Sequence, residues 1–149
     1  EELIGLYQPS RVLEVGTAIG YSTLLLAKHA APDAEVVSVE LDEKRHSMAQ
    51  YYIKQSKYKD QITLHLGDAN EVLTQLEGTF DLVFLDPPYS LDLWEELAAL
   101  ADPHIAAQGL IYVEADHDLN LLKLPYTWQK IKESKAGTVR AGLYQKIIV

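Results

Sequence analysis

The feature that most constrains this chain is a rhythm. Five short β-branched runs are separated by stretches with helical spacing, and two further runs follow with no helix between them. The five runs are RVLEVG (11–16), EVVSVEL (35–41), QITLHLGD (61–68), FDLVFLD (80–86) and GLIYVEAD (109–116). Between them lie YSTLLLAKHA (21–30), DEKRHSMAQYYIKQSKY (42–58), ANEVLTQLE (69–77) and LWEELAALADPHI (93–105). Strands alternating with helices at this spacing predict parallel βαβ units. The second helix has N-cap chemistry at Asp42 and apolar positions at Met48, Tyr51, Tyr52 and Ile53.

The pattern then changes. After a short helical piece near Leu119–Leu124, Pro125 breaks the chain, and TWQKIKESK and TVRAGLYQKIIV follow around an AGT turn. Two strands so close in sequence pair antiparallel and close the sheet. Lys130, Lys132 and Lys135 on the first of them guard an exposed edge. The expected fold is α/β, a three-layer Rossmann-like sandwich on a seven-stranded sheet of order 3-2-1-4-5-7-6 with strand 7 antiparallel. A dinucleotide-binding sheet would continue with another crossover helix, so the closing hairpin argues against an NAD module.

One domain over 1–149 is expected, since 149 residues suffice for a real core and no repeat or linker interrupts them. No apolar run approaches the roughly 18 residues of a membrane span, no signal-peptide pattern opens the chain, and the absence of cysteine excludes a disulfide framework or thiolate metal site. A cytoplasmic setting is expected. The chain opens at Glu1 without methionine and runs almost at once into an apolar segment. That start suggests a trimmed or processed chain, from which an N-terminal substrate-binding piece could be missing.

Charge is unevenly spread around the net −9: residues 60–122 hold no Lys or Arg against 13 acids, while residues 123–149 hold 6 against 1. The distribution fits an acidic solvated surface with a basic edge hairpin, or last strands that help hold a polyanion. Net acidity weakens any expectation of tight nucleic-acid binding by this chain alone.

Three motifs fall at the carboxyl ends of successive strands, where open α/β sheets bind ligands. EVGTAIGYS (14–22) joins the first strand to the first helix; Gly16 permits a sharp turn, and Gly20 lets the helix start close to a ligand or to the sheet. Thr17 and Ser22 belong to the same loop. Glu40, followed by Leu41, ends the second strand, where an acid can accept from both hydroxyls of a ribose. After the third strand, Asp68 can accept from an adenine amine while the Ala69 N–H donates to a ring nitrogen, and Asp68 can equally cap the next helix.

The fourth strand ends in Asp86-Pro87-Pro88-Tyr89. An aromatic amine is a poor nucleophile because its lone pair is delocalised. Asp86 and the Pro87 carbonyl can accept its two hydrogens as the nitrogen pyramidalises. Prolines stiffen the loop, and Tyr89 can stack on a base already taken out of its helix.

The tetrapeptide resembles the (D/N)PP(Y/F) motif of methyltransferases acting on exocyclic amines of nucleobases or on amide nitrogens. The run VLEVGTAIGYSTLLLA…VVSVELDEKR…GDA resembles the S-adenosyl-L-methionine (SAM) half of bacterial, catechol-type O-methyltransferases. That resemblance implies the class I SAM-dependent methyltransferase fold, with Glu14, Gly16 and Gly20 around the methionine moiety, Glu40 on the ribose and Asp68-Ala69 on the adenine. GLIYVEAD…LPYTWQKIKESKAGTVRAGLYQ (109–145) resembles the carboxyl-terminal part of the 16S rRNA guanine-N2 methyltransferase family. Membership there implies methyl transfer to guanine N2 in small-subunit rRNA, making RNA the expected partner.

The two halves differ. The guanine family carries a DLFAGTG-type first loop where this chain has EVGTAIG, and metal-dependent O-methyltransferases place Asp-Ala and Asp-Asn where this chain has DPPY and EAD. A mosaic, a divergent relative and an engineered chain all fit. No metal site is expected, although Asp86, Glu114 and Asp116 could bind a cation. An O-methyltransferase and a non-catalytic SAM-binding scaffold remain as alternatives.

The five histidines lack metal-ligand spacing, and Trp94 and Trp128 are expected to be packing residues. YYIKQSKYK (51–59) mixes aromatics with lysines, which suits either RNA contact or a solvated helix end. No Ser-His-Asp arrangement, Walker loop or nucleophile elbow occurs.

Overall fold

A strand that is apolar on both faces needs cover on both sides, and the central strands of this chain are apolar on both. The computed structural model describes residues 2–87 and 92–147. In chain order its elements are α1 (Glu2–Tyr7), β1 (Arg11–Val15), α2 (Tyr21–His29), β2 (Glu35–Glu40), α3 (Glu43–Lys54), β3 (Ile62–Leu66), α4 (Ala69–Gln75), β4 (Phe80–Leu85), α5 (Trp94–Ala101), β5 (Ile105–Ala115), β6 (Trp128–Ala136) and β7 (Val139–Lys146). Short 3-10 turns cover Lys59–Gln61, Asp102–His104 and Leu119–Leu121.

The sheet order is β3-β2-β1-β4-β5-β7-β6, as expected. Strands β1 to β5 run parallel, and β7 is antiparallel to both β5 and β6. Side-chain parity then sorts the core into two layers. On one face Val12, Val36, Leu82 and Leu110 pack against Leu26 and Ala27 of α2 and Ala30 just after it. On the other, Leu13, Val37, Val83 and Ile111 pack with Leu73 of α4 and with Trp94, Leu97 and Ala98 of α5. Trp94 is fully buried, and replacing it with alanine is expected to cost about 3–5 kcal/mol. Trp128 is buried too, its indole N–H donating to Asp102. Both tryptophans are therefore packing residues.

Two details depart from expectation. The face that α3 buries is Ala49 and Ile53, while Met48, Tyr51 and Tyr52 are exposed. The reason is close approach: a Cβ on Gly20 would stand 3.3 Å from Ala49 Cα and 3.5 Å from Ile53. Gly20 thus serves contact with α3, and small Ala49 sets the rotation of that helix. Helix α5 also ends early, at Ala101, because Pro103 opens a 3-10 turn, and β5 begins at Ile105.

Candidate active site

The tips of four strands are stitched edge to edge by backbone hydrogen bonds. Asp86 N donates to Val15 O (3.1 Å), Gly16 N to Val39 O (2.9 Å) and Gly67 N to Glu40 O (3.0 Å). The loops after β1, β2, β3 and β4 therefore form one continuous rim around a cleft of about 300 Å³. Of the residues singled out from sequence, Gly16, Glu40, Leu41, Asp68 and Ala69 line it, joined by Asp86 and Pro87.

Gly16 lies at φ +107°, and a Cβ there would sit 2.3 Å from the Asp86 carbonyl oxygen. Absence of a side chain is what lets the first and fourth loops touch. Glu40 is buried and bonded at both oxygens: Oε1 accepts from Ala18 N (2.7 Å) and Oε2 from Asp42 N (2.8 Å). Each carboxylate oxygen retains further acceptor capacity toward the cleft. Asp68 caps α4, accepting from Asn70 N (2.9 Å), while it lines the opposite wall.

Glu14, Thr17, Gly20 and Ser22 do not line the cleft; they build the wall behind it. The Glu14 carboxylate accepts from the hydroxyls of Ser22, Thr23 and Ser38. Because the Ser38 hydroxyl donates to Glu14, it accepts from Thr17 at 2.5 Å. Burial pushes the Glu14 carboxyl up against the opposing pull of its three hydroxyl donors, and the Glu40 charge adds to the rise. This buried relay clamps the first turn of α2 to β1 and β2.

Asp86 meets solvent on its cleft side, yet the strand tips crowd its carboxyl. That partial burial lifts its pKa to about 6, with the charges of Glu114 and Glu14 contributing. Phe84 of β4 pairs in register with Tyr112 of β5, so Asp86 and Glu114 continue the same two columns side by side. The Phe84 and Tyr112 rings precede them in those columns, their centroids 5.1 Å from each other. Burial raises the Tyr112 phenol, helped by Glu114 and Asp86. The Trp94 indole N–H donates to the Glu114 carbonyl (2.8 Å), which fixes the β5 tip. Pro87 is buried; Pro88 and Tyr89 lie outside the described residues.

Ala18 and Arg45 are among the cleft residues that escaped sequence reasoning. Ala18 sits at φ +53° with its N–H on Glu40, and alanine carries no chemical signal of such a role. Arg45 lines the cleft from the first turn of α3; the N-cap at Asp42, which accepts from Arg45 N, was the clue that aims it back over the strand tips. Among the described residues no group of three His, Asp or Glu side chains is placed to hold a metal ion. No helix among them is long and apolar enough to cross a membrane.

A model of the family described as "Conserved hypothetical protein 95" matches residues 31–145, from before β2 into β7. Over 85 residues the chain is 39% identical to a catechol O-methyltransferase of Mycobacterium tuberculosis, a match covering 56% of this chain and 39% of that protein. Over 82 residues it is 34% identical to a tRNA1(Val) (adenine(37)-N6)-methyltransferase of Bacteroides thetaiotaomicron, covering 55% of this chain and 34% of that one. The matches thus span well under half the length of these curated relatives. The fold superposes on an O-methyltransferase from Bacillus cereus, solved in complex with SAH, with TM-score 0.83 at 18% identity, covering 97% of this chain and 78% of that chain.

Proposed function

The chain belongs to the Conserved hypothetical protein 95 family and has the class I SAM-dependent methyltransferase fold, and on that premise we propose that it is a SAM-dependent N-methyltransferase. Its acceptor is the exocyclic amine of a nucleobase, with guanine N2 in small-subunit rRNA favoured, and a cytoplasmic setting goes with that acceptor.

The cleft fits the cofactor by volume and by donor set. About 300 Å³ lies at the lower end of small-molecule sites. Glu40 faces it with acceptors for two ribose hydroxyls, Asp68 and Ala69 offer an acceptor and a backbone donor for an adenine, and Gly16 leaves room beside Asp86. Bound SAM supplies a methyl group on a sulfonium, which carries its own leaving group.

The chain's own residues act on the acceptor. The Asp86 carboxylate accepts one amine hydrogen and takes the proton as nitrogen loses it; the Pro87 carbonyl accepts the other. A pKa of about 6 keeps Asp86 mostly ionised at neutral pH while making it a stronger base than an ordinary aspartate.

The guanine reading is carried by the side-by-side placement of Asp86 and Glu114. The Watson–Crick edge of guanine presents two neighbouring donors, N1–H and the N2 amine, and two carboxylates complement them. Adenine presents an amine beside the N1 lone pair, which a second carboxylate repels. The resemblance of residues 109–145 to the guanine-N2 family supports the same choice. The catechol relative favours a second reading, transfer to a hydroxyl, which requires a divalent cation and is sunk by activity that survives a chelator.

Tritiated-methyl transfer to unmodified small-subunit rRNA, tRNA and catechol tests the proposal, with Asp86→Ala as control. Label on guanine that disappears in the variant is the expected result. Cofactor binding without transfer to any RNA would indicate a scaffold, and RNA transfer undiminished by Asp86→Ala would remove the assigned role.

A further inference from the structure

The outward face of α3 carries groups that the core does not use. Ala49 and Ile53 are buried, whereas Met48, Tyr51 and Tyr52 are 43%, 63% and 47% exposed. The two tyrosine rings meet edge to face at 5.5 Å. Gly20 abuts Ala49 and Ile53, which brings its neighbours Ile19 and Tyr21 alongside α3, and these are exposed as well. A grouping of large exposed apolar side chains marks an interaction surface.

Charge selects the occupant. In a chain of net charge −9, residues 43–59 carry Lys44, Arg45, Lys54, Lys57 and Lys59 against the single acid Glu43. Arg45 stands at the cleft end of α3 and Lys54 at the far end, nine residues or roughly 14 Å along the helix axis, with the tyrosines between them. Cations bracketing exposed aromatic rings are the recognition elements for single-stranded nucleic acid: the rings stack on bases and the cations hold phosphates. A protein partner seeking an apolar face has no use for five cations.

We propose that α3 and the turn that follows it are a docking strip for single-stranded RNA flanking the acceptor nucleotide. Bases stack on Tyr51 and Tyr52, and phosphates are held by Arg45, Lys54 and Lys57 along a path that begins at the cleft. The strip rests on the RNA reading of the cleft and adds to it the direction in which the strand leaves.

The test is fluorescence anisotropy with a labelled single-stranded oligoribonucleotide of about 12 nucleotides, within the range of known single-strand site sizes. The proteins are wild type, Tyr51→Ala/Tyr52→Ala and Lys54→Glu/Lys57→Glu, each checked for unchanged thermal unfolding and unchanged calorimetric affinity for SAM. The tyrosine variant is expected to lose about 10- to 100-fold in affinity, on the stacking scale for such rings. The charge variant is expected to weaken similarly and to flatten the dependence on salt. Wild type that does not bind the RNA, or variants that bind within twofold of wild type, overturn the strip. Variants that shift sedimentation from dimer to monomer while keeping RNA affinity assign the face to a second copy and overturn it as well. If methyl transfer to rRNA persists with unchanged KM in both variants, the strip fails while the function stands. Absence of transfer by wild type, with RNA binding still dependent on Tyr51 and Tyr52, sinks the function and keeps the strip.

Discussion

Gly16→Ala puts one methyl group where the first and fourth loops meet. The new Cβ would stand 2.3 Å from the Asp86 carbonyl oxygen, and real Cβ atoms essentially never come within 3.0 Å, so the loops must part by at least 3.0 − 2.3 = 0.7 Å. The residue also sits at φ +107°, which costs a side chain about 1–3 kcal/mol. Forced overpacking adds about 1–3 kcal/mol, giving roughly 2–6 kcal/mol in all. At about 2–4 °C per kcal/mol for a chain of this size, Tm should fall by roughly 5–20 °C. The same displacement moves Asp86 relative to the cleft, and misplacement of about 1 Å costs on the order of 100-fold in rate. Gly5→Ala, within α1 and with nothing within 4 Å of its added Cβ, is the clash-free control: it should leave turnover unchanged and hold or slightly raise Tm. Thermal unfolding by circular dichroism and single-turnover methyl transfer read the two effects. A Gly16→Ala protein with wild-type Tm and wild-type turnover would refute the stitched-rim geometry.

Three further outcomes follow from the same contacts. Asp86 holds its proton more tightly folded than unfolded, so its contribution favours the fold as pH drops from about 6 toward 4 and is lost as pH rises through that window, and the raised Glu14 carboxyl acts in the same direction; Asp86→Asn should flatten this part of the Tm–pH curve, and a wild-type-minus-variant difference that ignores pH would contradict it. Glu114→Gln removes the like charge beside Asp86, so the acid limb expected near pH 6 in the proposed methyl transfer should move to lower pH in the variant, and the proposed preference for guanine over adenine acceptors should weaken. Ser38→Ala takes one of three hydroxyl donors from buried Glu14 and should cost about 1–3 kcal/mol in urea unfolding, whereas an unchanged midpoint would mean the relay carries no stability.

The sheet was legible because its information is periodic. Val36, Val37 and Val39 of β2, or Leu82 and Val83 of β4, admit little else than a strand covered on both faces, and the missing helix between β6 and β7 fixes the antiparallel end. The buried face of α3 was not legible, because it depends on which residue can approach Gly20. Ala49 wins that contact by being small, against a periodicity that favoured Met48, Tyr51 and Tyr52. The cleft was partly legible for a similar reason. Gly16, Glu40, Asp68 and Asp86 carry chemistry at strand ends and announce themselves, whereas Ala18 contributes only a backbone N–H. Glu14 shows the converse: an acid beside a glycine loop suggests a ligand contact, yet its oxygens are taken up by hydroxyls from α2 and β2.

The charge of the rim bears on what it can hold. Glu40, Asp68 and Asp86 line the cleft against one cation, Arg45. Glu14 and Glu114 stand close enough to lift Asp86 further, and residues 60–122 offer no Lys or Arg to offset them. An anionic ligand such as a dinucleotide pyrophosphate, set on the first loop as the related sheets do, would meet Asp86 across the Gly16 contact with Arg45 alone among the described lining residues to offset three acids. A ligand bearing a positive centre meets the opposite situation, since each nearby carboxylate attracts it. Acids at three successive strand tips, beside a glycine that admits close approach, therefore favour a sulfonium over a phosphate. This preference comes from charge placement, independently of any sequence resemblance.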